Sequence, residues 1–179
     1  MLSAAPGAVW DARGFPFAID NGAWTAHTTG TPWNAERFAR LVYGFGEAAD
    51  FVVCPDVVAD RERTLELAHR WLPRLSWVPR LLWAVQDGMT PADVPAGLGV
   101  FVGGSDAYKE RSLRVWGPWR AAGGPYLHVG RVNSQRRVRM CMLAGADSID
   151  GTSASRFAKT IPEIERATVQ GDLGGGWLS

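Results

Sequence analysis

The chain is poor in cysteine. Only Cys54 and Cys141 occur in 179 residues, each inside an apolar stretch, so neither a disulfide framework nor a Cys/His zinc cluster is expected. No apolar run approaches the roughly 18–20 residues of a membrane span, and the N-terminus lacks a basic segment followed by a long apolar run. A cytoplasmic, reducing location and the absence of a membrane partner follow as expectations. No GxGxxG or GxxxxGK(S/T) element follows the first apolar run, which removes support for dinucleotide and P-loop cofactors. With 46% hydrophobic and 21% charged residues, disorder is expected only at the ends.

Two residue types are abundant. Nine Trp and 21 Gly offer flat apolar faces and close backbone approach, which suit a pocket for a planar ligand as well as core and loops. Net charge is +1 but unevenly spread. Residues 1–106 carry a net −4 and residues 107–166 a net +6, so the C-terminal half suits either phosphate contact or solvated helix faces.

Short apolar runs alternate with helical patterns. The runs are Phe17–Asp20, Phe51–Cys54, Leu81–Gln86, Leu98–Val102, Tyr126–Val129 and Ala146–Asp150, with a possible extra strand at Ala8–Asp11. They are apolar on both faces, as buried parallel strands are. Between them, Asn34 caps a helix through Phe45 and Asp60 caps one that Pro73 ends. Thr90-Pro91 opens another. Ser105 or Asp106 opens one through Arg120, Asn133 one through Leu143, and Pro162 a last short one. A β-α alternation repeated roughly six times predicts an α/β fold with a parallel sheet: a complete or reduced TIM-like (βα) barrel, or an open doubly wound sheet. Residues 1–170 read as a single domain and 171–179, with three consecutive glycines, as a loose tail.

Polar residues or glycines stand at the end of nearly every proposed strand: Asp20, Asp56, Gln86, Gly103-Gly104, His128 with Gly130-Arg131, and Asp150. In a βα barrel such ends converge on one face, where active sites lie. Asp20 and Asp56 stand several residues before the next expected helices, at Asn34 and Asp60, and so are poorly explained as caps. Several carboxylates around one pocket suit chemistry at a glycosidic carbon, with one attacking and another moving protons. Trp24, Asp56, Gln86 and the Gly pair are the types that would hold a planar base. These residues alone lead to glycosyl or nucleobase chemistry and no further.

The segment Asp20-Asn21-Gly22-Ala23-Trp24 resembles the Asp-Ser-Gly-Gly-aromatic motif of the tRNA-guanine transglycosylase superfamily. In the same order follow counterparts of its base-reading Asp (Asp56), its Val-Gln-Gly-Gly element (Val85-Gln86, with Gly88), its Ile-Gly-Gly turn (Val102-Gly103-Gly104), its Tyr-Leu-Met-Gly stretch (Tyr126-Leu127-His128, with Gly130) and its nucleophile segment ending in Asp150. Arg156 stands six residues beyond Asp150, as an Arg does in that family. The resemblance spans about residues 17–157. It implies that Asp150 displaces guanine and holds the sugar covalently, that Asp20 is the general acid/base, and that Asp56 and Gln86 read the base edge. It implies further that the Gly103 and Gly104 amides contact the base carbonyl and that Trp24 stacks on the ring. No metal or redox cofactor is implied.

The departures also inform. The chain lacks the Cys-rich zinc site and the length of the tRNA enzymes, and is most similar to the reduced DNA-modifying branch of bacteriophages and DNA-modification clusters. The expected reaction exchanges guanine in DNA for a 7-deazaguanine such as preQ0, with the guanine flipped out or single-stranded. The alternatives are the same exchange on tRNA or a nucleoside, a non-catalytic binding subunit, and a glycoside hydrolase. His128 replaces the family's Met, and is expected either to bond substrate or to be a satisfied core histidine. Ser105, in place of a Leu, is expected to alter recognition of the 7-substituent. Arg131, Arg136, Arg137, Arg139, Arg156 and Lys159 are candidates to hold phosphates, the Arg136–Arg139 group equally a solvated helix face. Self-association is an open expectation.

Overall fold

Residues two apart along a strand share a face, and here the two faces serve different layers. In the computed structural model, which describes residues 1–8, 10, 11, 14 and 16–151, Ile19, Val52, Trp83, Val85, Val100, Val102, Leu127 and Val129 belong to a large apolar core shared with the helices. Their strand neighbours Ala18, Phe51, Val53, Leu82 and Ala84 form a second cluster with Phe101 and Tyr126, on the concave side. Each buried Val, Leu or Ile contributes about 1.5–3 kcal/mol, so both faces of the sheet are apolar for a reason.

Seven strands carry this alternation: β1 Leu2–Ser3, β2 Ile19–Asp20, β3 Val52–Val53, β4 Leu81–Val85, β5 Gly99–Val102, β6 Leu127–Val129 and β7 Ser148–Ile149. Every neighbouring pair is parallel and the spatial order is the chain order. The sheet curls into an open half-barrel flanked by helices, a reduced TIM-like (βα) barrel. The doubly wound alternative fails because its strand order reverses partway across the sheet. The strand expected at Ala8–Asp11 is replaced by one at Leu2–Ser3, where Leu2 pairs with Ile19.

The helices are α1 Ala23–Thr29, α2 Ala35–Phe45, α3 Arg61–Leu75, α4 Asp106–Ala121 and α5 Gln135–Leu143. Asn34, Asp60 and Ser105 cap α2, α3 and α4 through side-chain oxygens that accept from the amide three residues on, as expected. Three local readings are corrected. Pro73 lies inside the last turn of α3, close enough to the end that little of the helix ladder is lost. Thr90-Pro91 opens only a single 3-10 turn, Pro91–Asp93. Ser134, not Asn133, caps α5. Arg156, Lys159, the helix expected at Pro162 and the tail fall outside the described residues.

No helix among the described residues is long and apolar enough to cross a membrane.

Candidate active site

The strand alternation that builds the inner cluster also aims the polar strand ends. Ala18 and Asp20, Ala84 and Gln86, and Tyr126 and His128 each stand two apart, so each polar group continues an inward-facing row. Asp20, Asp56, Gln86 and Asp150 line one cleft of about 730 Å³ at the strand C-terminal ends, together with Asn21, Trp24, Gly103, Gly104 and Arg131.

Local structure fixes the β2 side. Gly22 has φ +82°, and a Cβ there would come within 2.8 Å of Ala5 N, so only glycine lets the chain turn at once from β2 into α1. That helix begins eleven residues before Asn34. The sequence placed no helix there, because α1 is only seven residues long and lacks a side-chain cap. Asp20 therefore stands at a strand–helix turn, its Oδ2 accepting from Ser3 Oγ at 2.9 Å and Gly22 N–H at 3.3 Å. Asn21 points inward, 2% exposed. Its Nδ2 donates to Asp56 Oδ1 at 2.6 Å and to Cys54 O at 2.8 Å. Gln86 Nε2 donates to Asp56 Oδ2 at 2.6 Å, while its Oε1 accepts from Ala59 N–H. Asn21, Asp56 and Gln86 thus form one buried network.

On the β6–β7 side the arrangement differs. The strand pairing sets His128 opposite Ser148. His128 Nε2 lies 3.0 Å from Asp150 Oδ2 and Nδ1 2.7 Å from Ser148 Oγ. Tyr126 O–H donates to that same serine. Since an ionised carboxylate only accepts, Nε2 carries the proton that it donates to Asp150. The Arg131 amide donates to Asp150 Oδ1 at 2.9 Å. Arg120 on α4 grips Asp147 with two hydrogen bonds of 2.7 and 2.8 Å, and Asp147 also accepts from the Leu127 amide, which pins the start of β7 against β6.

These surroundings move the carboxyls in opposite directions. Burial, together with the nearby charge of Asp150, raises the pKa of Asp20 against the pull of its Ser3 and Gly22 donors. Burial pushes Asp56 up to about 7, despite the Asn21 donor. Burial acts on Asp150 as well, but the His128 hydrogen bond and charge, the Arg131 amide and the charge of Lys109 outweigh it and hold the group below the usual carboxylate range. One carboxyl shifted below its ordinary range and two shifted above it therefore share a cleft, the kind of environment split that can separate a nucleophile from an acid.

The remaining candidate residues divide between the cleft and its supports. His128 is 2% exposed, does not line the cleft, is stacked on Phe101 at 5.0 Å and supports Asp150, in line with the expected alternative of a satisfied core histidine. Ser105 is a helix cap, its Oγ and N–H both held by Asp87, so it is turned from the cleft. The Gly103 amide is spent on Val85 O. Gly104 is favoured by its left-handed φ of +74°, and a Cβ at Gly103 would come within 2.5 Å of Gln86 Nε2, the atom that bonds Asp56. The Gly104 amide has no acceptor among the described residues. Trp24 is 41% exposed, but the Arg131 guanidinium lies 3.4 Å over its ring and donates to Gly104 O. Arg131 is thus a cleft residue in a left-handed conformation, φ +56°. Arg137 pairs with Asp106 at 3.0 Å and Glu110 at 3.1 Å, and Arg136 pairs with Glu110. They tie α5 to α4 and do not line the cleft.

Among the cleft residues that the sequence reading did not name as site residues are Asn21, Phe101 and Lys109. Phe101 could have been found from its inward parity, two before Gly103. Lys109 could have been found from its place on the buried stripe of α4 with Ser112, Leu113 and Trp116. Among the described residues, no three His, Cys, Asp or Glu side chains are grouped to hold a metal ion. No family model matches the chain, and no curated protein matches it.

Proposed function

We propose that this chain is a guanine transglycosylase that exchanges guanine in DNA for a 7-deazaguanine through a covalent Asp150–sugar intermediate. The observation that carries the reading is the opposite tuning of Asp150 and Asp20 across one cleft. The resemblance of the ordered strand-end motifs to the tRNA-guanine transglycosylase superfamily supplies the substrate class, and the likeness to its reduced branch favours DNA.

In this mechanism an Asp150 oxygen bonds to the sugar C1′ as the C1′–N9 bond breaks. The bond's electron pair leaves with guanine, which takes a proton from Asp20. The incoming 7-deazaguanine then loses its N9 proton to Asp20, N9 bonds to C1′, and the Asp150 ester bond breaks. His128 and the Arg131 amide hold the carboxylate for attack. In its ionised form, populated above its raised pKa of about 7, Asp56 suits the adjacent N–H donors of a guanine edge, since a carboxylate accepts at up to about four lone-pair sites and two are already used by Asn21 and Gln86. Trp24 receives the ring once Arg131 moves off its face.

The test is incubation with labelled guanine or preQ0 and either guanine-containing DNA or tRNA, followed by a denaturing gel. Wild type is expected to give a protein–DNA adduct and label exchange. Asp150→Asn is expected to give neither, a loss of about 10⁴-fold or more. A normal adduct yield from that variant removes Asp150 from the mechanism, and exchange confined to tRNA moves the substrate to RNA.

A further inference from the structure

Lys109 is 4% exposed, and its Nζ has no hydrogen-bond partner among the described residues. The nearest carboxylate oxygen, Asp106 Oδ1, stands 3.9 Å away, too far for a hydrogen bond. An ammonium taken out of water without a partner is costly, and nothing in the base-exchange mechanism employs it. Yet Lys109 lines the same cleft as Asp150, near enough to influence that carboxylate. Its other charged neighbours are Arg131, Arg137 and Asp106. The cleft is therefore polarised: Asp20 and Asp56 lie at one end, and Lys109 and Arg131 flank Asp150 at the other.

We infer that Lys109, with Arg131, forms a phosphate-binding subsite beside Asp150 that holds a phosphate of the nucleotide whose sugar Asp150 attacks. The inference rests on the base-exchange reading for the orientation of the nucleotide, with the base towards Asp56 and the phosphate towards Lys109. A lysine is a compact point charge suited to a phosphate oxygen, and an arginine fork can share the same group. Burial and the neighbouring Arg131 already pull the Lys109 ammonium down to about 8, so an anion there has more to stabilise than at a surface lysine. Four glycines line the cleft as well, Gly103, Gly104, Gly130 and Gly151, the last two beside Arg131 and Asp150 in the chain, where they leave main chain rather than side chains.

The chain has only two lysines, Lys109 and Lys159, so protein labelled with ¹³C at lysine Cε gives two resonances. Loss of one in Lys109→Met assigns it. That variant is expected to fold, because an apolar group of similar volume in place of a buried unpaired charge is often neutral or stabilising. Titration of the wild-type chain with inorganic phosphate is expected to shift the Lys109 resonance saturably and to raise its titration midpoint above about 8. Guanosine 5′- or 3′-monophosphate is expected to bind about tenfold or more tightly than guanosine, the worth of one charge-assisted hydrogen bond. Lys109→Met should erase that advantage and Lys109→Arg retain part of it.

A Lys109 resonance unmoved by phosphate up to about 50 mM, which would fill a millimolar site, and by the monophosphates overturns the inference. So does an undiminished monophosphate advantage in Lys109→Met. A response to phosphate without one to a short guanine-containing oligonucleotide makes this a free-phosphate site and overturns the nucleotide placement. No arm requires base exchange, so failure here and failure of the transglycosylase reading are separable.

Discussion

The two ends of the cleft shift the same functional group in opposite directions. At the β2–β4 end, Asp56 sits among neutral amides, and burial governs it and Asp20, so both hold their protons to higher pH. At the β6–β7 end, Asp150 receives a ring N–H and a main-chain N–H and faces two cations, so it stays ionised. The contrast teaches that the role of a carboxylate here is set by the donors that the neighbouring strand supplies. His128 and Ser148 meet only because β6 and β7 pair in that register.

Asp20→Asn attacks the contrast at its proton-retaining member. If the proposed base exchange holds, it is expected to slow that exchange about 10²–10⁴-fold while leaving Asp150 in place. Comparable turnover in a single-turnover assay would dissolve the assignment of acid and nucleophile. His128→Ala works from the other end. Loss of a charge-assisted hydrogen bond is expected to lower kcat about ten- to hundredfold, and to shift the acidic limb of the kcat/KM profile to higher pH, because Asp150 would no longer be held low. A fall in rate with an unmoved limb would reduce His128 to packing.

The smallest effect is on stability. Asp56 and Asp20 keep protons in the folded chain at pH values where the unfolded chain has lost them, so they make stability fall as pH rises from about 4 to about 7. Asp150 does the reverse: its contribution is present above about 4 and is lost as pH falls through its lower folded value. Thermal melts should show wild type losing a few degrees between pH 5 and pH 8, at about 2–4 °C per kcal/mol for a chain of this size. Asp56→Asn should show a flatter profile. Equal slopes would mean that Asp56 is ionised throughout.

Much of this frame was legible in the residue pattern. Apolar runs at regular spacing and the caps Asn34, Asp60 and Ser105 specify a parallel βα sheet, because caps and periodicity act locally. Strand parity carries Asp20, Gln86 and Asp150 to one face. What stayed hidden depends on tertiary neighbours. The proton-donating role of His128 requires knowing that Ser148 stands opposite. The covering of Trp24 by Arg131 requires the left-handed turn after β6. The helix α1 escaped because a seven-residue helix started by a left-handed glycine has neither length nor cap to announce it. From their charge, Arg136 and Arg137 read equally as phosphate ligands or as a solvated helix face, and only the approach of α4 reveals Glu110 and Asp106 as their partners.

The sequential strand order has a further consequence, for the time course of folding. Each parallel pair joins consecutive strands of the chain, so the sheet can grow by adding one unit at a time, with modest loop closure at each addition. The cleft does not grow in that way. Asp20 enters with the second strand and Asp150 with the seventh, so an intermediate arrested even one step short has most of its hydrophobic interior and none of its paired carboxylates.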